Sequence, residues 1–146
     1  MTGKQFGLEH VLKYRLEIER VRKQEFVAAK EQHEEANEHL KQEENLVHDL
    51  SDEFCKRHSE MDSIEELQRY ADFFARKRED IKQQRERVDH LGAILSDRRD
   101  DLLDATKDKK ILESLKEKKQ QEFKNAMAHK EQLFMDEISI QKKAGT

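Results

Sequence analysis

The residues that could support catalysis or metal binding are few and are not grouped into a known motif. The segment His33-Glu34-Glu35-Ala36-Asn37 comes nearest, because it resembles the His-Glu-x-x-His pattern of zinc proteases. Asn37 stands where the second histidine ligand is required, so the segment is more typical of a solvated helix face. Cys55 is the only cysteine, and there is no glycine-rich phosphate loop. The sequence therefore predicts a protein that is not an enzyme, with no catalytic residues, no metal and no cofactor.

The composition is typical of a long helical protein rather than a compact domain. Of the 146 residues, 42% are charged and 34% are hydrophobic, and none is proline. Ala, Glu, Lys, Leu and Arg make up about half of the chain, as in coiled coils. The formal charge of −4, with both signs interspersed, disfavours a nucleic-acid partner.

The sequence also indicates a compartment. No apolar run approaches the length of a membrane span, and the first residues lack the apolar core of a signal peptide. A single cysteine fits a reducing environment. We therefore expect a soluble cytosolic protein whose contact with a membrane is at most peripheral.

An apolar heptad repeat dominates the second half of the chain. Six residues at successive intervals of seven are apolar: Leu67, Phe74, Ile81, Val88, Leu95 and Leu102. The positions between them are half polar, which predicts a narrow seam that packs on one partner helix. A second heptad runs from Phe26 to Phe54, whereas the apolar residues from Val11 to Ile18 fall in another register. That offset predicts a stutter in the first helix.

A break near residue 60 separates two helices. Ser63 and Glu66 form a capping box directly before the Leu67 repeat, and Thr2 with Gln5 forms a similar one. We predict one coiled-coil domain, 1–146, with helix 1 at about 4–57, a turn at about 58–62 and helix 2 at about 63–142.

Two long helices joined by a short turn pack antiparallel. The predicted fold is therefore all-α, a long antiparallel two-helix coiled coil (an α-hairpin) whose second helix is longer than the first. With the turn near residue 60, residue i faces about residue 120 − i. The acidic residues between 31 and 38 then face the basic residues between 82 and 87.

Two groups of apolar residues lie outside the predicted seam. Helix 1 ends opposite about residue 115, so residues 116–142 lack a partner within the chain. They nevertheless keep an apolar stripe formed by Phe123, Met127, Phe134 and Ile138. An unpaired stripe of this kind indicates a partner protein or self-association. Near the turn, Leu46 and Phe73 either widen the core or form a docking patch for a partner.

Three segments carry a resemblance to a known family. The opening run Phe6-Gly-Leu-Glu-His-Val-Leu-Lys-Tyr-Arg15 has an early Phe, a Leu and then an Arg. After the turn come Tyr70, Phe73 and Ile81, with Lys77 where the family has leucine. Near the end stand Leu-Lys-Glu-Lys-Lys at 115–119 and Met-Asp-Glu-Ile at 135–138. In this order and spacing they resemble the FliJ family of the bacterial flagellar type III export apparatus.

The resemblance implies a fold and a set of partners. FliJ proteins are antiparallel two-helix coiled coils similar to the central stalk of rotary ATPases. They bind the hexameric export ATPase FliI through the region of their termini. They also bind the export gate membrane protein FlhA through a surface nearer the hairpin tip, and they are linked to export chaperones. By this resemblance Leu46 and Phe73 would contact the gate, and the stripe of Phe123, Met127, Phe134 and Ile138 would contact the ATPase.

The implied role is that of a coupling factor and chaperone escort in flagellum biogenesis, protein export and chemotaxis. Such a protein would be cytoplasmic and peripherally associated with the cytoplasmic face of the cell membrane at the flagellar base. Two alternatives stay open on the sequence alone. One is the analogous stalk protein of a virulence type III secretion system, and the other is a generic homodimeric coiled-coil tether.

Overall fold

The computed structural model describes residues 6–60 and 63–145. Helix α1 covers Glu9–Arg57, a short 3₁₀ helix covers His58–Glu60, and helix α2 covers Ile64–Ala144. No strand is present in these described ranges. The structure confirms the predicted fold class, which is all-α with two helices that pack as an α-hairpin, the second being the longer.

The beginning of α2 agrees with the capping signal in the sequence. Ser63 directly precedes the helix, and the Leu67 amide donates to its carbonyl oxygen at 3.4 Å. Ser63 and Glu66, although both are described, form no side-chain hydrogen bond with each other. The capping box predicted at Thr2 and Gln5, and residues 61 and 62 of the predicted turn, lie outside the described residues.

The end of α1 is stabilised by the side chains of Arg57 and of His58, the first residue of the 3₁₀ helix. The ring Nδ1 of His58 lies 2.8 Å from the carbonyl oxygen of Cys55, which has no partner within the helix. Arg57 donates to Glu53 one turn earlier at 3.1 Å, and this hydrogen bond raises the pKa of the Arg57 guanidinium. Basic residues at this end also oppose the negative pole of the helix dipole.

The chain forms two compact units, and in each of them α1 packs against α2. The turn unit is Arg22–Leu102. The terminal unit combines the residues up to Val21 with those from Leu103 onward. The predicted single domain over 1–146 stays a prediction.

The turn unit is held together by a seam of small and branched residues. Ala29, Ala36 and Leu40 of α1 and Ile81 of α2 are less than 9% exposed. The seam positions of α2 that alternate at three and four residues from Tyr70 to Leu102 are all buried or half-buried. The predicted heptad is therefore the packed face of α2 from Phe74 to Leu102, whereas its first member, Leu67, is 36% exposed.

Ion pairs between the helices fix the register of the turn unit. Lys77 pairs with Glu43 and Arg85 pairs with Glu44, while Gly92 faces His33. In these three pairs the residue numbers add up to between 120 and 129, so residue i faces about residue 125 − i. The predicted pairing of the acidic residues 31–38 with Arg85 is wrong, because the true register brings Glu44 opposite that arginine.

The terminal unit relies more on charge than on apolar packing. Leu12 and Ala105 are buried, and three ion pairs join the helices: Arg15–Asp108, Glu19–Lys109 and Glu9–Lys116. The buried and half-buried residues of α1 in this unit include Leu12, Arg15 and Glu19, and Arg22 and Phe26 of the turn unit continue the same spacing of three and four along the helix. This part of α1 therefore has no stutter. Charged residues occupy seam positions, and the apolar pattern alone does not reveal them.

Candidate protein-binding surfaces

His33 and Cys55, the residues considered for metal binding or reactivity, lie 22 residues apart on α1. Among residues 6–60 and 63–145, no group of three or more histidine, cysteine, aspartate or glutamate side chains could hold a metal ion. His33 lies in the seam, where its Nε2 would be 3.4 Å from a Cβ placed on Gly92. Cys55 is exposed. The absence of catalysis, metal and cofactor stays a prediction, and the candidate sites considered below are exposed apolar surfaces.

An aromatic cluster lies close to the turn. The ring centroids of Phe54 and Tyr70 are 5.3 Å apart, and those of Phe54 and Phe74 are 6.1 Å apart at an angle of 76°. Phe73 meets Phe74 edge-on at 6.0 Å. These tilted and edge-to-face arrangements are the favourable ones for aromatic pairs. The cluster fixes Phe73 beside the seam, so that this half-buried ring is held in place by its neighbours.

Lys77 connects Phe73 to the opposite helix. Its ammonium group lies 5.8 Å from the centre of the Phe73 ring and donates to Glu43 at 2.7 Å. Both charged side chains are only about one-fifth exposed. The hydrogen bond from Lys77 is the main cause that holds the pKa of the Glu43 carboxyl below its usual range. Lysine at this seam position contacts the Phe73 ring and forms an ion pair with Glu43 of α1. A leucine side chain could not form this ion pair.

Phe73 lies at the edge of a shallow groove. The groove has a volume of about 230 Å³ and is lined by Leu50, Arg69, Tyr70 and Phe73. Its wall is thus an aromatic and aliphatic surface beside one arginine. We call the surface formed by these four residues the Phe73 flank.

Leu46 belongs to the same side of the turn unit but not to this groove. Leu46 directly precedes the seam residue Val47, and Phe73 directly precedes Phe74, so both occupy the same flanking position of an antiparallel coiled coil. By the observed register Leu46 faces about residue 79, roughly 9 Å along α2 from Phe73 at 1.5 Å per residue. Its side chain is 43% exposed. The register thus places the two residues on one side of the turn unit, offset by about 9 Å along α2.

The predicted stripe of the terminal unit lies on an exposed helix. Every described side chain from 117 to 145 is exposed except Ile138, which is half-buried. Phe123 is 41% exposed, Met127 42% and Phe134 62%. The last ion pair from α1 reaches α2 at Lys116, and it comes from the first residue of α1, Glu9. Three of the four side chains of this stripe are therefore exposed, and Ile138 is half-buried.

Sequence reasoning missed other exposed apolar residues on this segment. Leu133, Met135 and Ile140 are 55%, 59% and 67% exposed. They stand outside the predicted stripe, so apolar surface is present around much of the helix. These residues are recognised by their exposure on a helix segment without a packing partner. Helical spacing alone does not reveal them.

A two-helix coiled coil with large exposed apolar side chains carries surface of the kind that marks protein–protein interaction sites. The model of the family described as Flagellar FliJ protein matches residues 4–145. The chain belongs to the FliJ family and is a component of the flagellar export apparatus. Neither a comparison with curated proteins nor one with solved structures gave a match. No helix within the described residues is long and apolar enough to cross a membrane.

Proposed function

We propose that this protein is the central-stalk-like coupling factor of the flagellar export apparatus, with one surface for the export ATPase ring and another for the export gate. Binding of the ring links ATP hydrolysis to export, and binding of the gate brings the ring to the membrane. The protein then acts in the cytoplasm, peripherally associated with the membrane at the flagellar base. The observation that carries this proposal is the exposed apolar stripe on α2 beyond Lys116.

The stripe suits the ATPase ring because it is apolar and exposed on a single helix. Phe123, Met127, Phe134 and Ile138 occur at helical spacing, and a single helix can enter the centre of a hexamer more readily than a helix pair. Aromatic and methionine side chains are enriched at the cores of protein interfaces. A ligand that prefers the assembled hexamer over the free subunit also shifts the assembly equilibrium towards the ring.

The gate contact is assigned to Phe73 and Leu46. Phe73 is supported by the aromatic cluster and by Lys77, so binding would not require the ring to be ordered first. A preorganised aromatic side chain of this kind is typical of interface hot spots. Leu46 would add apolar area on the same side of the turn unit. An escort function for export chaperones is compatible with these assignments and needs no further site.

The proposal is tested by mixing the purified protein with the flagellar export ATPase of the same genome. We expect the two to co-purify, and we expect hydrolysis to rise together with the hexamer fraction. The variant F123E/M127E/F134E should lose at least 90% of this stimulation, because it places carboxylates in an apolar contact. The control L133E/M135E/I140E changes the same number of exposed apolar side chains outside the stripe and should retain most of it.

Three results would contradict the proposal. One is the absence of any binding or change in hydrolysis by the unaltered protein. Another is an equal loss in both triple variants. A third is a parallel homodimer in solution, which would favour the generic tether instead.

A further inference from the structure

A long groove lies on the side of the turn unit opposite the Phe73 flank. Its volume is about 1160 Å³, and it is lined by residues of 47–55 on α1 and of 67–89 on α2. That part of α2 extends about 33 Å at 1.5 Å per residue. Pockets for small ligands are typically roughly 300–1,000 Å³ and compact. The length of this groove matches a helix better than it matches a small molecule.

The position of the groove follows from the residues beside the seam. Ala71 and Ala75 directly follow the seam residues Tyr70 and Phe74, whereas Phe73 directly precedes one. In a coiled coil these two kinds of position lie on opposite sides of the seam. The larger groove and the groove at Phe73 share Tyr70 and no other lining residue.

The groove has an apolar floor and low walls. Seam side chains, among them Phe74 and Ile81, form the floor. The side chains that border it are small and exposed: Ser51, Cys55, Ala71 and Ala75. Small residues allow the backbone of another helix to approach closely, and the exposed sides of the seam residues are then available to it. A third helix could therefore complete the core of this unit.

Charge along the groove indicates which helix would fit. Arg78, Lys82 and Arg85 follow each other at intervals of four and three, so they form a row along α2. Arg85 is held by Glu44 at 3.1 Å, but no described carboxylate forms an ion pair with Arg78 or Lys82, and both are exposed.

The groove also has three acidic lining residues, of which Glu79 and Glu86 stand away from the row and Asp89 continues it one helical turn beyond Arg85. Glu79 and Glu86 directly follow Arg78 and Arg85, so each lies about 100° further round the helix, away from the seam. Arg78 and Lys82 are therefore the charged residues nearest to the floor formed by Phe74 and Ile81, and Asp89 lies about 10 Å further along α2 than Lys82.

We propose that this groove binds an amphipathic helix of a partner protein, about 20 residues long, with carboxylates along the edge that meets Arg78 and Lys82. Its apolar residues at helical spacing would lie on the floor of the groove, the mode in which helices dock into grooves elsewhere. This surface is separate from the two surfaces assigned above. The proposal therefore stands or falls independently of the ATPase and gate contacts.

Two synthetic helical peptides of 21 residues test the proposal with the full-length chain. Both carry the same leucine stripe, but one has glutamate and the other has lysine along one edge. By fluorescence anisotropy at low salt, the glutamate peptide should bind at least tenfold more tightly than the lysine peptide. In the variant R78E/K82E this preference should reverse.

A steric variant separates the groove from general charge attraction. A75W places a bulky ring on the wall and should weaken binding of the glutamate peptide at least tenfold. The matched control A93W changes another exposed alanine of α2, outside the groove, and should leave the affinity unchanged. Equal binding of the two peptides, or equal effects of A75W and A93W, would overturn the proposal. Self-association of the chain that A75W abolishes would overturn it too, since a second copy would then be the occupant.

Discussion

In the turn unit the candidate binding residue Phe73 is held by neighbouring rings and by Lys77, whereas in the terminal unit the candidate residues stand exposed on one helix. The turn unit buries Ile81 and Leu40 in its seam, where the two helices pack against each other. Beyond Lys116, α2 has aromatic and aliphatic side chains that are 41% to 67% exposed. The difference suggests two modes of binding, one with a preorganised surface and one in which the partner supplies the missing core.

The largest expected contrast concerns the stability of the two units. Ile81→Ala should destabilise the protein by about 2–4 kcal/mol, because it removes buried methyl groups and leaves a cavity in the seam. Phe134→Ala should change the free energy of unfolding by less than about 0.5 kcal/mol, because the ring is exposed. Urea denaturation followed by circular dichroism measures both values. A comparable loss of unfolding free energy in the two variants would show that Phe134 is packed within the chain. The proposed difference between the two units would then be wrong.

A smaller effect, of opposite sign, is expected at Gly92. Glycine within a helix costs about 1 kcal/mol relative to alanine. A Cβ at Gly92 would lie 3.4 Å from the His33 ring, which is an ordinary contact distance. Gly92→Ala should therefore stabilise the turn unit by about 0.5–1 kcal/mol in the same denaturation experiment.

The neighbouring exposed residue supplies the matched control for this change. Ala93→Gly should destabilise by a similar amount, because it places the same glycine penalty one residue further along α2. If Gly92→Ala instead destabilises, then His33 cannot tolerate the methyl group, and the seam is tighter at this point than the distance indicates.

The smallest effect is the pH dependence that Glu43 contributes. Its pKa lies below the usual 4.5 because Lys77 donates a hydrogen bond to its ionised form. The resulting stability is present above the pKa of the unfolded chain and is lost as the pH falls through the lower pKa of the folded state. Glu43→Gln should therefore flatten the fall of the melting temperature below about pH 4.5. Glu34→Gln, at an exposed residue that forms no ion pair with a described residue, should leave that fall unchanged.

Much of the fold was predictable because regular apolar spacing survives in the sequence. The heptad from Leu67 and the capping signal at Ser63 led to two helices and to their antiparallel packing. The register was less predictable, since it depends on how Glu43 and Glu44 meet Lys77 and Arg85. The stutter was a wrong prediction, because seam positions such as Arg15 and Glu19 carry charges that no apolar pattern reveals.

The candidate surfaces were predictable in part. An apolar stripe beyond the end of the first helix follows from the unequal helix lengths, and exposure of Phe123, Met127 and Phe134 agrees with it. The support of Phe73 by Lys77 could not be read from the sequence, where lysine simply interrupts the heptad. The groove beside Ala71 and Ala75 was likewise hidden, because small side chains become informative only once the opposite helix is in place.

The proposed function depends on two separate binding surfaces, one in each unit. The direct test measures the affinity of three proteins for the export ATPase and for the cytoplasmic domain of the export gate: the unaltered chain, F123E/M127E/F134E and Phe73→Ala. The triple variant should lose at least tenfold in affinity for the ATPase and keep its affinity for the gate, and Phe73→Ala should do the reverse. If one variant lowers the affinity for both partners equally, or if neither variant lowers the affinity for its assigned partner, the assignment of the two surfaces is wrong.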